Sequence, residues 1–361
     1  MIFQKNRLNK MHTITKNEKK IHSKYDIGLG ILRPFLCFLV IISHCYNPRN
    51  VDGIWKDIFF KTEGCYIHVK TFFIISLYFS YNTLISSNIS KKIAKLERLL
   101  IPYFIWPLIY FFANKLIIKF ILVKDHQILE FKDMKYQLLL GHGFVNPFWF
   151  QLNLIFIFII FALIILLFKK SYNYILLLLG ITSFLLQYNG KNFLYFDSYP
   201  EEIKFSLGRL IEMIPPSVTG FLLASFQVII ILKKYRYRTI FVCVYIVYFL
   251  VNFRIFIFIP GFWNQGLRLY FVSICIFIIF SMFPSEKIKN ERIINIIRQI
   301  ANHTAGIYYI HIPVYRYTRE YIMFIHINSI KGCAIIYLIS YLICFVGNKI
   351  FGKTKIRNLF E

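Results

Sequence analysis

Acidic residues are scarce in this chain: 17 Asp and Glu stand against 43 Lys and Arg over 361 residues, a formal net charge of +26. In a soluble protein such an excess would point to nucleic acid. Here the charged residues make up only 17% of the chain, below the roughly one quarter usual for a soluble domain, and they fall in short clusters between apolar stretches. No C-x-x-C pair occurs among the seven cysteines, so neither a zinc site nor a dithiol redox motif is indicated. Cys45 and Cys65 can share one side of a membrane, which leaves a disulfide between them open. No window alternates apolar and polar residues, which disfavours a β-barrel, and no repeat relates two halves, which counts against transporters built from duplicated bundles. The first 24 residues hold six lysines and one arginine but no apolar core, so they do not read as a cleavable signal peptide.

What the chain has in plenty is apolar: 57% hydrophobic and 19% aromatic residues. Runs of about 20 apolar residues recur along its length, each able to cross a hydrocarbon core of roughly 30 Å at about 1.5 Å per helical residue. They lie near 28–46, 67–86, 99–122, 148–168, 173–188, 206–231, 239–259, 266–283, 303–323 and 333–351. The expected fold is an all-α integral membrane bundle of about ten transmembrane helices.

Loop charge supplies the orientation, because Lys and Arg in short loops mark the cytoplasmic side. The N-terminal arm, "KKIAKLER", "KK" after the fourth run, "KKYRYR", "EKIKNERIINIIR" and "GKTKIR" all fall on one side, which predicts both termini in the cytoplasm. The other loops are acidic or mixed by comparison, except the one flanked by Arg316, Arg319 and Lys331. The expected organisation is a basic cytoplasmic arm over 1–25, a transmembrane domain over 26–352 and a cytoplasmic tail over 353–361. The expected surroundings are the lipid bilayer of the cytoplasmic (inner) cell membrane, without nucleic acid.

Ionisable side chains inside such runs are the sharpest signal. Placing Arg or Asp there costs at least about 2.5 kcal/mol, so these groups tend to face a cavity and carry function. Arg33 and His44 are eleven residues apart. Eleven steps of about 100° make three turns plus roughly 20°, so both side chains share one face about 16 Å apart along the axis. Snorkelling of Arg33 to the interface and capping by His44 would be the purely structural account. Arg209 and Glu212 are three apart and therefore neighbours on a helix. Pro215 and Pro216 follow and are expected to break or kink it, freeing backbone groups that lipid cannot satisfy. Arg98 heads the third run, just before Pro102, where an interfacial anchor is the simplest role. Trp149 opens the fourth run between Phe148 and Phe150, a pattern that an aromatic belt would explain. His311 stands eight residues into an apolar run and precedes Pro313.

Taken in order, these segments resemble the acyltransferase 3 family of integral-membrane acyltransferases. The features carrying the resemblance are "RPFLCFLVIISH" with Arg33 and His44 at the family's spacing, "ERLLIP", "PFWF", "GRLIEMIPPSVTGFLL" and "IYYIHIPV". The likeness covers residues 26 to 351. Two departures stand out: Pro34 follows the first-span arginine where many relatives have a small residue, and Gln151, Leu152 and Asn153 stand where some relatives place a charged pair.

The resemblance implies a fold of about ten spans and transfer of an acyl group, commonly acetyl from acetyl-CoA, to a hydroxyl of a carbohydrate or glycolipid. Its implied catalytic set is His44, as general base or acyl relay, with Glu212 and His311. Arg33, Arg98, Trp149 and Arg209 are the implied substrate or acyl-CoA-binding residues, and no metal is involved. A neutral histidine can take the proton from an attacking hydroxyl, and an arginine can hold phosphates bidentately. The alternative reading is a transporter or flippase for a glycolipid or small anion that uses the same charges as a pathway.

Overall fold

A computed structural model describes residues 26–45, 67–121, 131–141, 148–193, 201–252, 261–285, 288–321, 329–352 and 354–360. Among them every regular element is helical. In chain order these are α1 (Ile27–Cys45), α2 (Ile67–Ile85), α3 (Ile89–Ile121), α4 (Phe131–Leu140), α5 (Phe148–Leu167), α6 (Tyr172–Phe193), α7 (Glu201–Ser225), α8 (Val228–Lys233), α9 (Arg236–Asn252), α10 (Gly261–Ser281), α11 (Glu291–Asn302), α12 (Thr304–Tyr321), α13 (Ile330–Phe351) and a 3₁₀ turn (Lys355–Leu359).

A helix stands at every predicted span. Four of them, Ile27–Cys45, Ile89–Lys115, Phe148–Leu167 and Ile330–Phe351, are by length and composition apolar enough to cross a membrane. Others carry ionisable residues, such as Lys70 in α2 and Arg209 with Glu212 in α7, which dilute an otherwise apolar run. The predicted arm 1–25, Cys65 and most of the predicted outer loops lie outside the described residues.

Local chemistry sets several helix ends. The Asp26 carboxylate accepts from the Leu29 amide at 3.1 Å and the Asn88 side-chain oxygen from the Lys91 amide at 3.3 Å, so each occupies an otherwise orphaned N-terminal donor. Helix α3 accordingly starts at Ile89, well before the predicted span at 99. The stretch read as a basic loop after the eighth run holds α11, capped by Asn290 through the amides of Arg292 and Ile293. Its isoleucines recur at helical spacing among charged residues, which makes it strongly amphipathic. The expected single span over 206–231 is instead two helices, α7 and α8, separated at Gln227, whose φ of 53° is left-handed.

Prolines do not break the helices that contain them. A break or a kink was expected at Pro215 and Pro216; helix α7 runs continuously through both, so the chain does not break there. A proline cannot donate to the carbonyl four residues earlier, which for Pro215 is that of Ile211. Gln187 of α6 fills the gap, donating its side-chain amide to the Ile211 oxygen at 3.0 Å. The same device recurs in α12: Pro313 leaves the Tyr309 carbonyl without its usual donor, and the Tyr110 hydroxyl of α3 donates to it. At Pro215 and Pro313 the lost backbone bond is thus replaced by a tie between two helices.

At the centre is α1, which packs against α2, α10, α11, α12 and α13. Helices α2 and α7 approach closely at Gly220, where a β-carbon would come within 2.2 Å of the Ile74 carbonyl oxygen. Alongside α1 lies α12. Cys37 Sγ is 3.6 Å from the Thr304 carbonyl, and seven residues further along each helix His44 meets His311. Equal steps between matched contacts mean that α1 and α12 run in the same direction.

Candidate functional site

Two polar regions lie along the seam between α1 and α12. At the end where α1 begins, a cavity of about 550 Å³ opens between α1, α2, α3, α5, α12 and the 3₁₀ turn. Among the described residues its lining includes four cationic side chains, Arg33, Lys95, Arg98 and Arg357, and no carboxylate. Lys95 and Arg98 stand three apart on α3, which puts them on one face. Gln151 of α5 also lines the cavity and is oriented by donating to the Leu99 carbonyl at 2.9 Å. Such a concentration of positive charge in a half-open cleft suits a ligand with several phosphate oxygens, which guanidinium groups can bind in pairs.

At the opposite end of α1, His44 is exposed and faces His311, which is fully buried; their ring centroids are 5.4 Å apart. The His311 Nδ1 lies 2.7 Å from the Tyr308 carbonyl oxygen. A carbonyl only accepts, so Nδ1 carries the hydrogen in the neutral ring and Nε2 keeps its lone pair. That Nε2 atom is buried and has no hydrogen-bond partner among the described residues. The two regions communicate through Tyr308, which lines the cavity and whose ring centroid is 5.9 Å from that of His311.

A third cluster joins α2, α5 and α7. Glu212 accepts from Lys70 at 2.8 Å on one carboxylate oxygen and from Arg209 at 2.9 Å on the other. The expected neighbourhood of Arg209 and Glu212 on one helix is thus an ion pair, and Lys70 from α2 completes it. The Arg209 guanidinium also lies 5.2 Å from the centre of the Trp149 ring, within cation–π range. Trp149 is half-buried, whereas Phe148 and Phe150 are buried in the core rather than placed in an interfacial belt.

Of the residues singled out in the sequence, Arg33 and Arg98 therefore share the cavity, His44 and His311 form a facing pair, and Arg209, Glu212 and Trp149 form the ionic cluster. Lys70, Lys95 and Arg357 complete these groups and were not expected. Lys95 and Arg357 stand in segments whose charge the positive-inside pattern already explained. Lys70 sits in the first turn of α2, where an interfacial position accounts for a lysine.

A helical bundle with membrane-spanning segments, a cationic cleft and a histidine pair defines a membrane protein able to bring an anionic ligand to titratable groups. A family model described as an acyltransferase domain matches residues 26–349. The chain belongs to the acyltransferase 3 family and is accordingly a membrane acyltransferase. No curated protein and no solved structure matches it.

Proposed function

We propose that this acyltransferase moves an acyl group, acetyl in the simplest case, from acyl-coenzyme A to a hydroxyl of a carbohydrate or glycolipid at the cytoplasmic membrane. One observation carries the reading: a cavity lined by four cations adjoins, through Tyr308, a pair of histidines. The cations hold the phosphates of the donor, and its pantetheine arm extends along the seam of α1 and α12 toward His44.

There the neutral His44 imidazole takes the proton of the acceptor hydroxyl as its oxygen attacks the thioester carbonyl. The tetrahedral intermediate collapses with the coenzyme A sulfur leaving, and the imidazolium returns the proton to that sulfur. General base catalysis of this kind contributes about 10²–10⁴-fold in rate. His311 stands close enough to exchange a proton with His44 through a water molecule, and its Nδ1 bond to Tyr308 keeps Nε2 as the accepting atom. Glu212, engaged on both oxygens, positions Arg209 and Lys70, and Arg209 with Trp149 offers the acceptor a cation beside an aromatic face.

Membranes containing the protein should incorporate label from acetyl-CoA into a saccharide or lipid, and His44→Ala should abolish incorporation while the protein remains folded. Undiminished incorporation by that variant would overturn the role of His44. Movement of a glycolipid without consumption of acetyl-CoA would instead favour a transport function.

A further inference from the structure

The segment after α13 is built into the protein rather than trailing from it. Leu359 is only 3% exposed, and its carbonyl accepts from the Trp106 indole of α3 at 3.2 Å. The Phe360 carbonyl lies 2.8 Å from His303 Nδ1, at the junction of α11 and α12. The Phe360 ring stacks on Phe351 with centroids 5.9 Å apart and meets Trp106 edge-on at 6.1 Å. Two glycines make room for it: a β-carbon at Gly347 would come within 2.4 Å of the Phe360 ring, and one at Gly306 within 2.8 Å of its carbonyl oxygen.

This anchoring has a consequence at the cavity. With Leu359 and Phe360 fixed, the residues just before them, Arg357 and Asn358, line the cavity together with Arg33, Lys95 and Arg98. The family model matches residues 26–349, so the segment lies outside the matched stretch. We propose that residues 354–360 are a structural part of the donor site and that Arg357 binds a phosphate of the acyl donor, with Trp106 as the positioning residue that holds the segment in place. The proposal rests on the reading of the cavity as the coenzyme A site. A phosphomonoester alone carries about −1.5 to −2 charge and a diphosphate adds more, so the first three cations leave a use for a fourth.

The test is calorimetric titration of the full-length protein in lipid nanodiscs with coenzyme A and, separately, with pantetheine, which lacks the phosphates. Arg357→Gln should raise the Kd for coenzyme A about tenfold and flatten its salt dependence, while leaving the weaker response to pantetheine unchanged. Arg357→Lys should fall between the two, because it keeps the charge but not the paired donors. The Trp106 side chain does not line the cavity, yet Trp106→Phe should weaken coenzyme A binding several-fold; unchanged binding would remove its positioning role. If Arg357→Gln does not fold, the lysine variant decides: affinity equal to that of the unaltered protein overturns the proposal. Wild-type affinity in Arg357→Gln together with loss of binding in Arg98→Gln would sink the role of Arg357 and leave the donor site standing. Failure of the unaltered protein to bind coenzyme A would remove both.

Discussion

The Lys70 ammonium and the Glu212 carboxylate lie 2.8 Å apart between α2 and α7, with the lysine side chain only 6% exposed. A buried pair is costly to half-dismantle, because the remaining charge loses its partner where water cannot replace it. Glu212→Gln should destabilise the protein by about 3–5 kcal/mol, the usual range for such a break. Lys70→Met combined with Glu212→Gln should recover much of that loss. Unfolding of Glu212→Gln, Lys70→Met and the double variant in mixed micelles would measure it, and a double-variant loss equal to the sum of the two single losses would show that the side chains are not coupled.

The facing histidines predict unequal effects. His44 is exposed whereas His311 is buried behind it; with His44 as the proposed base, His44→Ala should abolish acyl transfer and His311→Gln should lower its rate by about 10²-fold or less, the low end for a proton-transfer partner. Steady-state assays with labelled acetyl-CoA would separate them. A larger loss in His311→Gln than in His44→Ala would reverse the assignment of the base.

The cationic cavity predicts a binding defect separable from chemistry. Arg33→Gln and Arg98→Gln should each raise KM for acyl-CoA about tenfold or more, as expected when a charge-assisted contact to phosphate is lost. KM for the acceptor should stay within about twofold. Equal increases for both substrates would place these arginines elsewhere in the reaction.

The bond from Gln187 to the Ile211 carbonyl offers a test of how α7 tolerates its prolines. Gln187→Leu leaves that oxygen without a donor and should cost about 1–3 kcal/mol. Adding Pro215→Ala restores a backbone N–H for the same oxygen and should offset the loss. Thermal unfolding of the single and double variants gives the comparison; no rescue by alanine would mean that Gln187 acts through other contacts.

Much of this organisation was legible in the sequence because helix geometry is local. The eleven-residue interval of Arg33 and His44 predicted a common face, and both do address α12: Arg33 shares its cavity with Thr304 and Tyr308, and His44 meets His311. The three-residue spacing of Arg209 and Glu212 likewise predicted that they are neighbours, and they form an ion pair. What escaped depends on partners distant in the chain. Pro215 was expected to interrupt α7 because its own helix offers no replacement donor, and the donor comes from α6. Nothing local marks Lys70, whose partner Glu212 lies 142 residues further along, in α7. Arg357 lay among tail charges, with nothing local to indicate that Phe360 would dock between Gly306 and Gly347.

The single helix joining Arg33 to His44 also works as a gauge. Arg33 and His44, the two ends of the proposed transfer path, are attached to one rod, so their separation of about 16 Å does not depend on how the other helices breathe. In the proposed reaction, a coenzyme A held by its phosphates at one end would present its thioester only as far along as its arm extends. A single residue inserted between the two positions would advance His44 by about 1.5 Å and swing it by about 100°, away from His311. In the proposed reaction the interval would thus be a fixed dimension, set by residue count alone.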